Sequence, residues 1–192
     1  VRGGKRILQG KQTQKVLAFY KPVGVTCTER DPHAEKKIMD MIRYPERLTY
    51  AGRLDKDSEG LILLTNDGDL INAMMRGANR HEKEYIVKTD KEITPDFLEK
   101  MAKGIYLKDL DITTRECEIE QIGKFTFRIV LTQGVNRQIR RMCEACGYRV
   151  KALKRIRIMN ILLGDLKPGK WREVTGEELE QLQRDTGMLN RN

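Results

Sequence analysis

The chain has 192 residues, of which 39% are hydrophobic and 34% charged, with a formal net charge of +9. This length allows one domain or a two-lobed domain with a substantial core, and the composition is typical of a globular protein. The sequence has no apolar run near the roughly 20 residues of a membrane helix, and its first residues lack the apolar core of a secretion signal. We therefore expect a cytoplasmic protein, monomeric and without a membrane segment.

The N-terminal half predicts a strand, a turn and two helices. Residues 1–14 are basic and have no apolar period, which is typical of a linker. A strand is expected over 15–20, a short helix over 32–43, and a helix capped by Asp67 that runs to about residue 76.

The segment 51–70 contains the candidate for a reactive group, Asp55. Arg53 and Asp55 lie in a polar stretch directly before an apolar run that predicts a buried strand over 61–65. Loops braced by a core strand often carry catalytic side chains. The alternative is a surface ion pair of little energetic value. A calcium loop is disfavoured because its twelfth position would be Asn66 instead of glutamate.

The C-terminal half alternates strands and helices. A helix over 95–103 has Thr94 as its cap, proline at its first position and Gly104 after its end. The other predicted elements are a strand from His81, a hairpin over 117–121 and 124–132, a helix over 136–146, a strand over 155–161 with Arg155 and Arg157 exposed on one side, and a last helix opened by a capping box at Thr175.

The helix over 136–146 has a core stripe formed by Ile139, Met142, Cys143 and Cys146. At 100° per residue, Arg137 and Arg141 point away from this stripe and Arg140 borders it. We expect Arg140 to reach into the protein while the other two face solvent or phosphate.

The C-x-x-C pair Cys143 and Cys146 does not predict redox or metal chemistry. It falls in the C-terminal half of the predicted helix, whereas a reactive cysteine is typically placed at a helix N-terminus. The sequence has two histidines and no second C-x-x-C to complete a zinc set. The four cysteines are interpreted as packing residues, and no metal is expected.

Basic residues are concentrated between residues 136 and 157, with Glu144 as the acid among them. Concentrated, arginine-rich charge favours a nucleic acid, because each phosphate that is neutralised releases counterions. A basic surface without a partner would suit scattered lysines better. The expected RNA contacts in this segment are Arg137, Arg141, Lys151, Lys154, Arg155 and Arg157.

Several motifs resemble those of the RNA pseudouridine synthases, in the branch that modifies ribosomal RNA. Gly52-Arg53-Leu54-Asp55, followed by Ser58-Glu59-Gly60-Leu61 and Thr65-Asn66-Asp67-Gly68, is similar to the catalytic-aspartate motif. Lys21-Pro22-Val23-Gly24, Tyr85 in a Lys-x-Tyr context, and Asn136-Arg137-Gln138-Ile139-Arg140 resemble three further motifs. The resemblance extends over residues 15–171, and some stretches are most similar to a member that acts on large-subunit (23S) RNA.

The resemblance implies an α+β pseudouridine synthase fold. Its central sheet is mixed and mostly antiparallel, in two lobes with flanking helices and a central cleft. The catalytic domain would be residues 15–186 and the tail residues 187–192. Members of this branch usually carry an N-terminal RNA-binding domain, of which residues 1–14 would be a remnant.

The resemblance also implies that Asp55 is catalytic, that no cofactor is needed and that RNA is the partner. Arg140 would pair with Asp55, Tyr85 would pack against the target uracil, and Arg53 would fill the space behind the flipped base. Whether Asp55 adds to the base, attacks the sugar or abstracts a sugar proton stays open. The alternatives are a non-catalytic RNA-binding or ribosome-assembly protein, and a synthase for 16S ribosomal RNA or tRNA.

Overall fold

A computed structural model of the chain describes residues 13–27, 38, 41–76 and 80–188. Its strands are β1 Val16–Lys21, β2 Thr49–Ala51, β3 Glu59–Thr65, β4 Lys83–Thr89, β5 Tyr106–Leu107, β6 Ile112–Thr113, β7 Glu118–Gly123, β8 Thr126–Leu131, β9 Val150–Ile158, β10 Ile161–Leu162 and β11 Trp171–Glu173. Its helices are α1 Gly68–Met75, α2 Pro95–Lys103, α3 Gln138–Ala145 and α4 Gly176–Asp185.

The described strands form a nine-stranded mixed sheet in the order β11-β1-β3-β9-β4-β8-β7, with β10 on β9 and β2 on β3; β5 and β6 form a separate pair. The β3–β9 pair is parallel, and the other pairs of the main sheet are antiparallel. The α+β class and the mostly antiparallel central sheet are therefore confirmed.

The sheet is divided into two halves where β3 meets β9. In one half, β1 and β3 are buried on both faces, between α1 and α4 on one side and residues around Ile38 and Tyr50 on the other. This explains the continuous apolar run of β3, since a strand covered on both faces has no polar face. In the other half, β4 and β8 pack against α2 and α3. The cleft described below lies at the junction.

Helix α2 begins and ends as predicted. The Thr94 hydroxyl accepts a hydrogen bond from the Phe97 amide at 3.1 Å. Gly104 ends the helix with φ of +105°, and a Cβ there would lie 2.3 Å from the Thr114 carbonyl oxygen. Glycine is therefore required at this position by the close approach of the backbone. Asp67 likewise caps α1 by accepting from the amides of Asp69 and Leu70.

The last helix begins where expected, but its capping box does not form. The Thr175 side chain makes no capping hydrogen bond. Glu178, the other member of the box, instead accepts two hydrogen bonds from the Arg172 guanidinium, at 2.7 and 2.9 Å. An ion pair with β11 thus replaces the local pair that the sequence pattern predicts.

Several expectations lie wholly or partly outside the described residues. The helix over 32–43 is one, although Ile38 and Ile42 are described as helical and buried. The linker 1–14 and the tail 187–192 are described only at residues 13, 14, 187 and 188, so the domain boundaries stay predictions. Among the described residues, no helix combines the length and the apolar character needed to cross a membrane.

The cysteines pack as predicted. All four are free, and Cys143 is fully buried in the core against α2 and β8. Burial raises the pKa of the Cys143 thiol to about 12 and that of Cys117 to about 11. Such thiols are poor nucleophiles at neutral pH. The described residues contain no cluster of three or more histidine, cysteine, aspartate or glutamate side chains that could hold a metal ion.

Candidate active site

Asp55 lies at the wall of a cleft of about 400 Å³. It belongs to the loop between β2 and β3, where the Ser58 amide donates to the Asp55 carbonyl at 3.1 Å and closes a turn. The loop is thus held at the start of a buried strand, as expected. The other charged or aromatic residues that line the cleft are Arg53, Lys83, Tyr85, Arg137, Arg140 and Arg155.

Lys21, at the end of β1, anchors the Asp55 loop through a hydrogen bond to its backbone. Its side chain is fully buried, and its ammonium donates to the carbonyls of Pro22 at 2.7 Å and Lys56 at 3.5 Å. Burial lowers the pKa of Lys21, while the nearby negative groups, Asp55 among them, oppose that shift. The Lys56 carbonyl also accepts from the Gly24 amide at 2.7 Å. The turn after β1 and the Asp55 loop therefore form one braced unit.

Arg155 is not exposed, which corrects the expectation of an RNA contact on the surface. It is 2% exposed, and its guanidinium donates to the carbonyls of Leu61 at 2.8 Å, Gly52 at 2.9 Å and Arg53 at 3.4 Å. These bonds hold the residues on either side of Asp55 against β9. Arg155 is a structural clamp on the loop.

A register shift between β4 and β9 explains why the simple alternation fails. Glu84 is opposite Arg157 and Tyr85 is opposite Arg155, so Ile156 is an extra residue on β9. Directly opposed residues share a face of the sheet, and successive residues alternate. The extra residue places Arg155 on the cleft face with Tyr85 and Arg157 on the opposite face with Glu84.

Arg157 is engaged by acidic side chains on that opposite face. It donates to Glu84 at 2.7 Å and to Glu82 at 3.0 Å, and its side chain is 20% exposed. Glu84 also accepts from Arg128 on β8 at 3.1 Å. The prediction that Arg157 is exposed beside Arg155 is therefore wrong.

Arg140 reaches into the protein as expected, with its side chain 14% exposed, but it does not make the predicted ion pair with Asp55. Arg137 is 3.3 Å from the Asp55 carboxylate and makes two hydrogen bonds to Asp57, at 3.1 and 2.9 Å. Arg140 donates to the Asp57 carbonyl at 3.0 Å and to the Ser58 hydroxyl at 3.1 Å, and its ion pair within the described contacts is with Asp57 at 3.6 Å. The prediction that Arg140 pairs with Asp55 is contradicted, because Arg137 does so.

The start of α3 explains why Arg137, and not Arg140, reaches Asp55. The helix begins at Gln138, and Arg137 is its N-cap residue in the left-handed conformation, with φ of +50°. The 100° rule applies only within a helix, so it could not place Arg137. Asp57, which the sequence did not single out, accepts from both arginines; the hydrogen bonds from Arg137 lower its pKa most strongly.

Tyr85 and Arg53 lie on the walls of the same cleft as Asp55. Tyr85 is half-buried and contacts the cores of both halves of the sheet. Arg53 is exposed, with its guanidinium 5.7 Å from the centre of the Tyr50 ring. Lys83, the lysine of the Lys-x-Tyr motif, also lines the cleft, two residues before Tyr85, but the sequence pattern alone predicts no role for it. The spacing of two on a strand is the signal that could have found it.

The remaining predicted RNA contacts lie outside the cleft lining. Arg141 donates twice to Asn136 and is half-buried. On β9, Lys151 is exposed and Lys154 is partly exposed. These three cations stay candidates for phosphate contacts.

Comparison with known proteins defines the class. A family model described as RNA pseudouridylate synthase matches residues 15–145. A solved structure titled "Crystal structure of pseudouridylate synthase" superposes with a TM-score of 0.81 at 29% identity, covering 88% of this chain and 74% of that one. The chain therefore belongs to the RNA pseudouridine synthase family.

Two curated relatives show which branch of the family the chain is similar to. The chain is 47% identical to the dual-specificity RNA pseudouridine synthase RluF of Escherichia coli K12 over 167 residues, 87% of this chain and 57% of that protein. It is 34% identical to the ribosomal large subunit pseudouridine synthase B of Vibrio cholerae over 177 residues, 88% of this chain and 54% of that protein. The chain thus spans just over half the length of these relatives, and its likeness to the branch named from the sequence is confirmed.

Proposed function

We propose that this chain converts a specific uridine of RNA into pseudouridine, with Asp55 as the catalytic carboxylate. The observation that carries the proposal is the position of Asp55, on a cleft that also presents Tyr85 and Arg137, in a chain of this family. The cleft volume of about 400 Å³ is within the range of small-molecule sites. A flipped nucleoside is a suitable occupant.

The reaction is an isomerisation. The bond from the sugar C1′ to N1 of uracil breaks, a bond from C1′ to C5 forms, the proton on C5 leaves and N1 gains one. Substrate and product have the same composition, so the balance requires no oxidant, reductant or co-substrate. We propose that Asp55 acts without a cofactor, beside the positive charge of Arg137 at 3.3 Å.

The other residues of the cleft have distinct proposed roles. Tyr85 packs its ring against the uracil, and Arg53 fills the space that the base leaves, since flipping a base costs a few kcal/mol. Arg140 is a positioning residue that fixes the loop through Asp57 and Ser58. The phosphates are held by the cations outside the cleft, Arg141, Lys151 and Lys154.

The proposed substrate is large-subunit ribosomal RNA, and the proposed active form is a cytoplasmic monomer. The substrate follows from the likeness to relatives whose names give large-subunit ribosomal RNA or RNA as their target. A monomer suffices because all named cleft residues come from one chain. Size-exclusion chromatography tests that state.

The experiment is pseudouridine mapping after incubation of the chain with large-subunit RNA, small-subunit RNA and tRNA from cells that lack this protein. We expect one new pseudouridine in the large-subunit RNA. A product in another RNA would change the substrate and keep the reaction. Asp55→Asn should reduce the rate about 10³-fold or more with RNA affinity unchanged, whereas Asp165→Asn, at an exposed position outside the cleft lining, should behave as wild type.

The second candidate function is that of a non-catalytic RNA-binding or ribosome-assembly protein, for which the opposite results are expected. It would bind RNA without making pseudouridine, and Asp55→Asn would leave all its measurable properties unchanged. Either result would overturn the proposal.

A further inference from the structure

We infer that Lys83 is a nucleotide-binding residue of the cleft, whose ammonium donates to a negatively charged or carbonyl oxygen of the flipped nucleotide. This inference rests on the function proposed above and names one contact of that same site. The oxygen belongs either to the uracil ring or to a phosphate of the target nucleotide.

The backbone of β4 directs Lys83 into the cleft. Lys83 and Tyr85 are separated by one residue on the strand, so their side chains leave the same face of the sheet. Both line the cleft together with Asp55, as does Leu131, which is opposite Lys83 on β8. Lys83 therefore lines the same cleft as the proposed catalytic residue Asp55 and as Tyr85, whose ring is proposed to contact the base.

The Lys83 ammonium is unpartnered within the described part of the chain. No hydrogen bond or ion pair joins it to any residue that the structure describes. Burial, and then the charge of Arg155, lower the pKa of Lys83 to about 8, so the group is mostly protonated at neutral pH. A partly buried cation without an acceptor is costly for the fold. Such groups are found where a ligand supplies the missing acceptor.

The other cations of the cleft are engaged. Arg155 donates to three backbone carbonyls, Arg137 contacts Asp55 and Asp57, and Arg140 donates to Asp57 and Ser58. Arg53 stacks near Tyr50. Lys83 is thus the cation of the described cleft lining whose donors are available without breaking an existing contact.

The chemistry of the reaction provides an acceptor for this donor. When the bond between C1′ and N1 breaks, the electron pair stays on the uracil and is shared with its carbonyl oxygens. A cation already placed beside those oxygens stabilises the charge as it forms, without reorganisation. A phosphate oxygen would satisfy the same donor before any bond breaks, by binding alone.

The test compares Lys83→Met with Lys88→Met, a matched change on the same strand at an exposed position outside the cleft lining. Single-turnover rates are measured with enzyme in excess on a large-subunit ribosomal RNA transcript. RNA affinity is measured between 50 and 200 mM KCl, because phosphate contacts weaken strongly over this roughly fourfold range of salt. These binding measurements use each change on an Asp55→Asn background, so that the RNA is not converted during the measurement. Thermal midpoints confirm folding, and Lys83→Gln replaces the methionine variant if that one fails to fold.

Contact with a uracil oxygen predicts a rate reduced tenfold or more at saturation, with the Kd changed less than twofold. Contact with a phosphate predicts a weaker Kd and a salt slope that is smaller by about 0.7 to 0.9, with the saturated rate unchanged. Either result supports the role of Lys83. If the folded Lys83 variant equals Lys88→Met in rate, Kd and salt slope, the inference is wrong.

Failure of this inference differs from failure of the proposed function. If wild-type protein makes no pseudouridine, the proposed function fails, whatever Lys83 does. If wild-type protein is active and Asp55→Asn is inactive while Lys83→Met is normal, the reaction stands and the Lys83 contact does not.

Discussion

Arg155 on β9 and Lys83 on β4 are cations on neighbouring strands of one cleft, and their surroundings are opposite. Arg155 is buried and donates to three backbone carbonyls, whereas the ammonium of Lys83 makes no hydrogen bond or ion pair with the described residues. A buried charge is tolerated when it is paired and hydrogen-bonded. The fold therefore supplies hydrogen-bond acceptors for the Arg155 guanidinium, whereas the Lys83 ammonium would obtain its acceptor from a ligand. The two should respond to substitution in opposite directions.

The largest effect is expected for Arg155→Met. The change removes the donor from the buried carbonyl of Leu61 and from the partly buried carbonyl of Gly52. Each such loss costs about 1–3 kcal/mol, so the free energy of unfolding should fall by about 3–5 kcal/mol. Urea denaturation followed by circular dichroism measures it, and Arg155→Lys, which keeps the charge, should lose less. A methionine variant as stable as wild type would remove the distinction between the two cations.

The next largest effect is expected for Gly60→Ala, on the strand β3 that Arg155 contacts. Gly60 has φ of +117°, and a Cβ there would lie 2.3 Å from the Arg155 carbonyl oxygen. Gly60→Ala must push β3 from β9, at about 2–4 kcal/mol of stability.

The control for this change is Gly169→Ala, since Gly169 has φ of +82° and a Cβ added there would meet nothing within 4 Å. This variant carries backbone strain alone and should lose about 1 kcal/mol. Thermal or urea unfolding of the two variants separates close approach from strain. Equal losses would mean that the contact between β3 and β9 is not tight.

Lys83→Met should change stability with the opposite sign. At pH 7 the folded wild-type protein keeps a desolvated ammonium, so its removal should raise the free energy of unfolding by about 1–3 kcal/mol. Between pH 8 and the ordinary lysine pKa of 10.5, the folded state releases a proton that the unfolded chain retains. Wild-type stability then rises with pH relative to the variant, and the difference should shrink across this range.

Urea denaturation of both proteins at pH 7, 8.5 and 10 tests the sign. The matched change Lys88→Met, at an exposed position, should show no such pH dependence. A Lys83→Met variant less stable than wild type at pH 7 would show that the ammonium has a partner in the fold.

Local patterns are enough to predict the elements and the place of Asp55. Helix α2 begins and ends at the predicted residues because both of its caps are local, at Thr94 and Gly104. The Asp55 loop is recognisable because the apolar run of β3 follows it directly. These features depend on residues within about one turn of each other.

The partners of the arginines could not be predicted, because they depend on single-residue irregularities. The left-handed conformation of Arg137 breaks the helical phase, and the extra residue Ile156 breaks the alternation on β9. Each irregularity turns a side chain to another face without a strong mark in the sequence. The donors of Arg155 also reach carbonyls about a hundred positions earlier, which no local pattern shows.

The smallest effect is expected for Asp57→Asn, which tests whether the arginines of α3 belong with Arg155 as parts of the scaffold. Arg137 lowers the pKa of Asp57 through hydrogen bonds, but the Asp57 side chain is 50% exposed, so the pair is screened by solvent. The loss should be about 0.5 kcal/mol at pH 7. A carboxyl with a lowered folded pKa contributes stability above its unfolded pKa and loses it as pH falls through the folded value. The difference between wild type and variant, followed by thermal unfolding from pH 7 downward, should therefore persist to about pH 4 and then vanish. A loss as large as that of Arg155→Met would make Arg137 and Arg140 structural clamps, and the supply of positive charge to Asp55 would then be a secondary role.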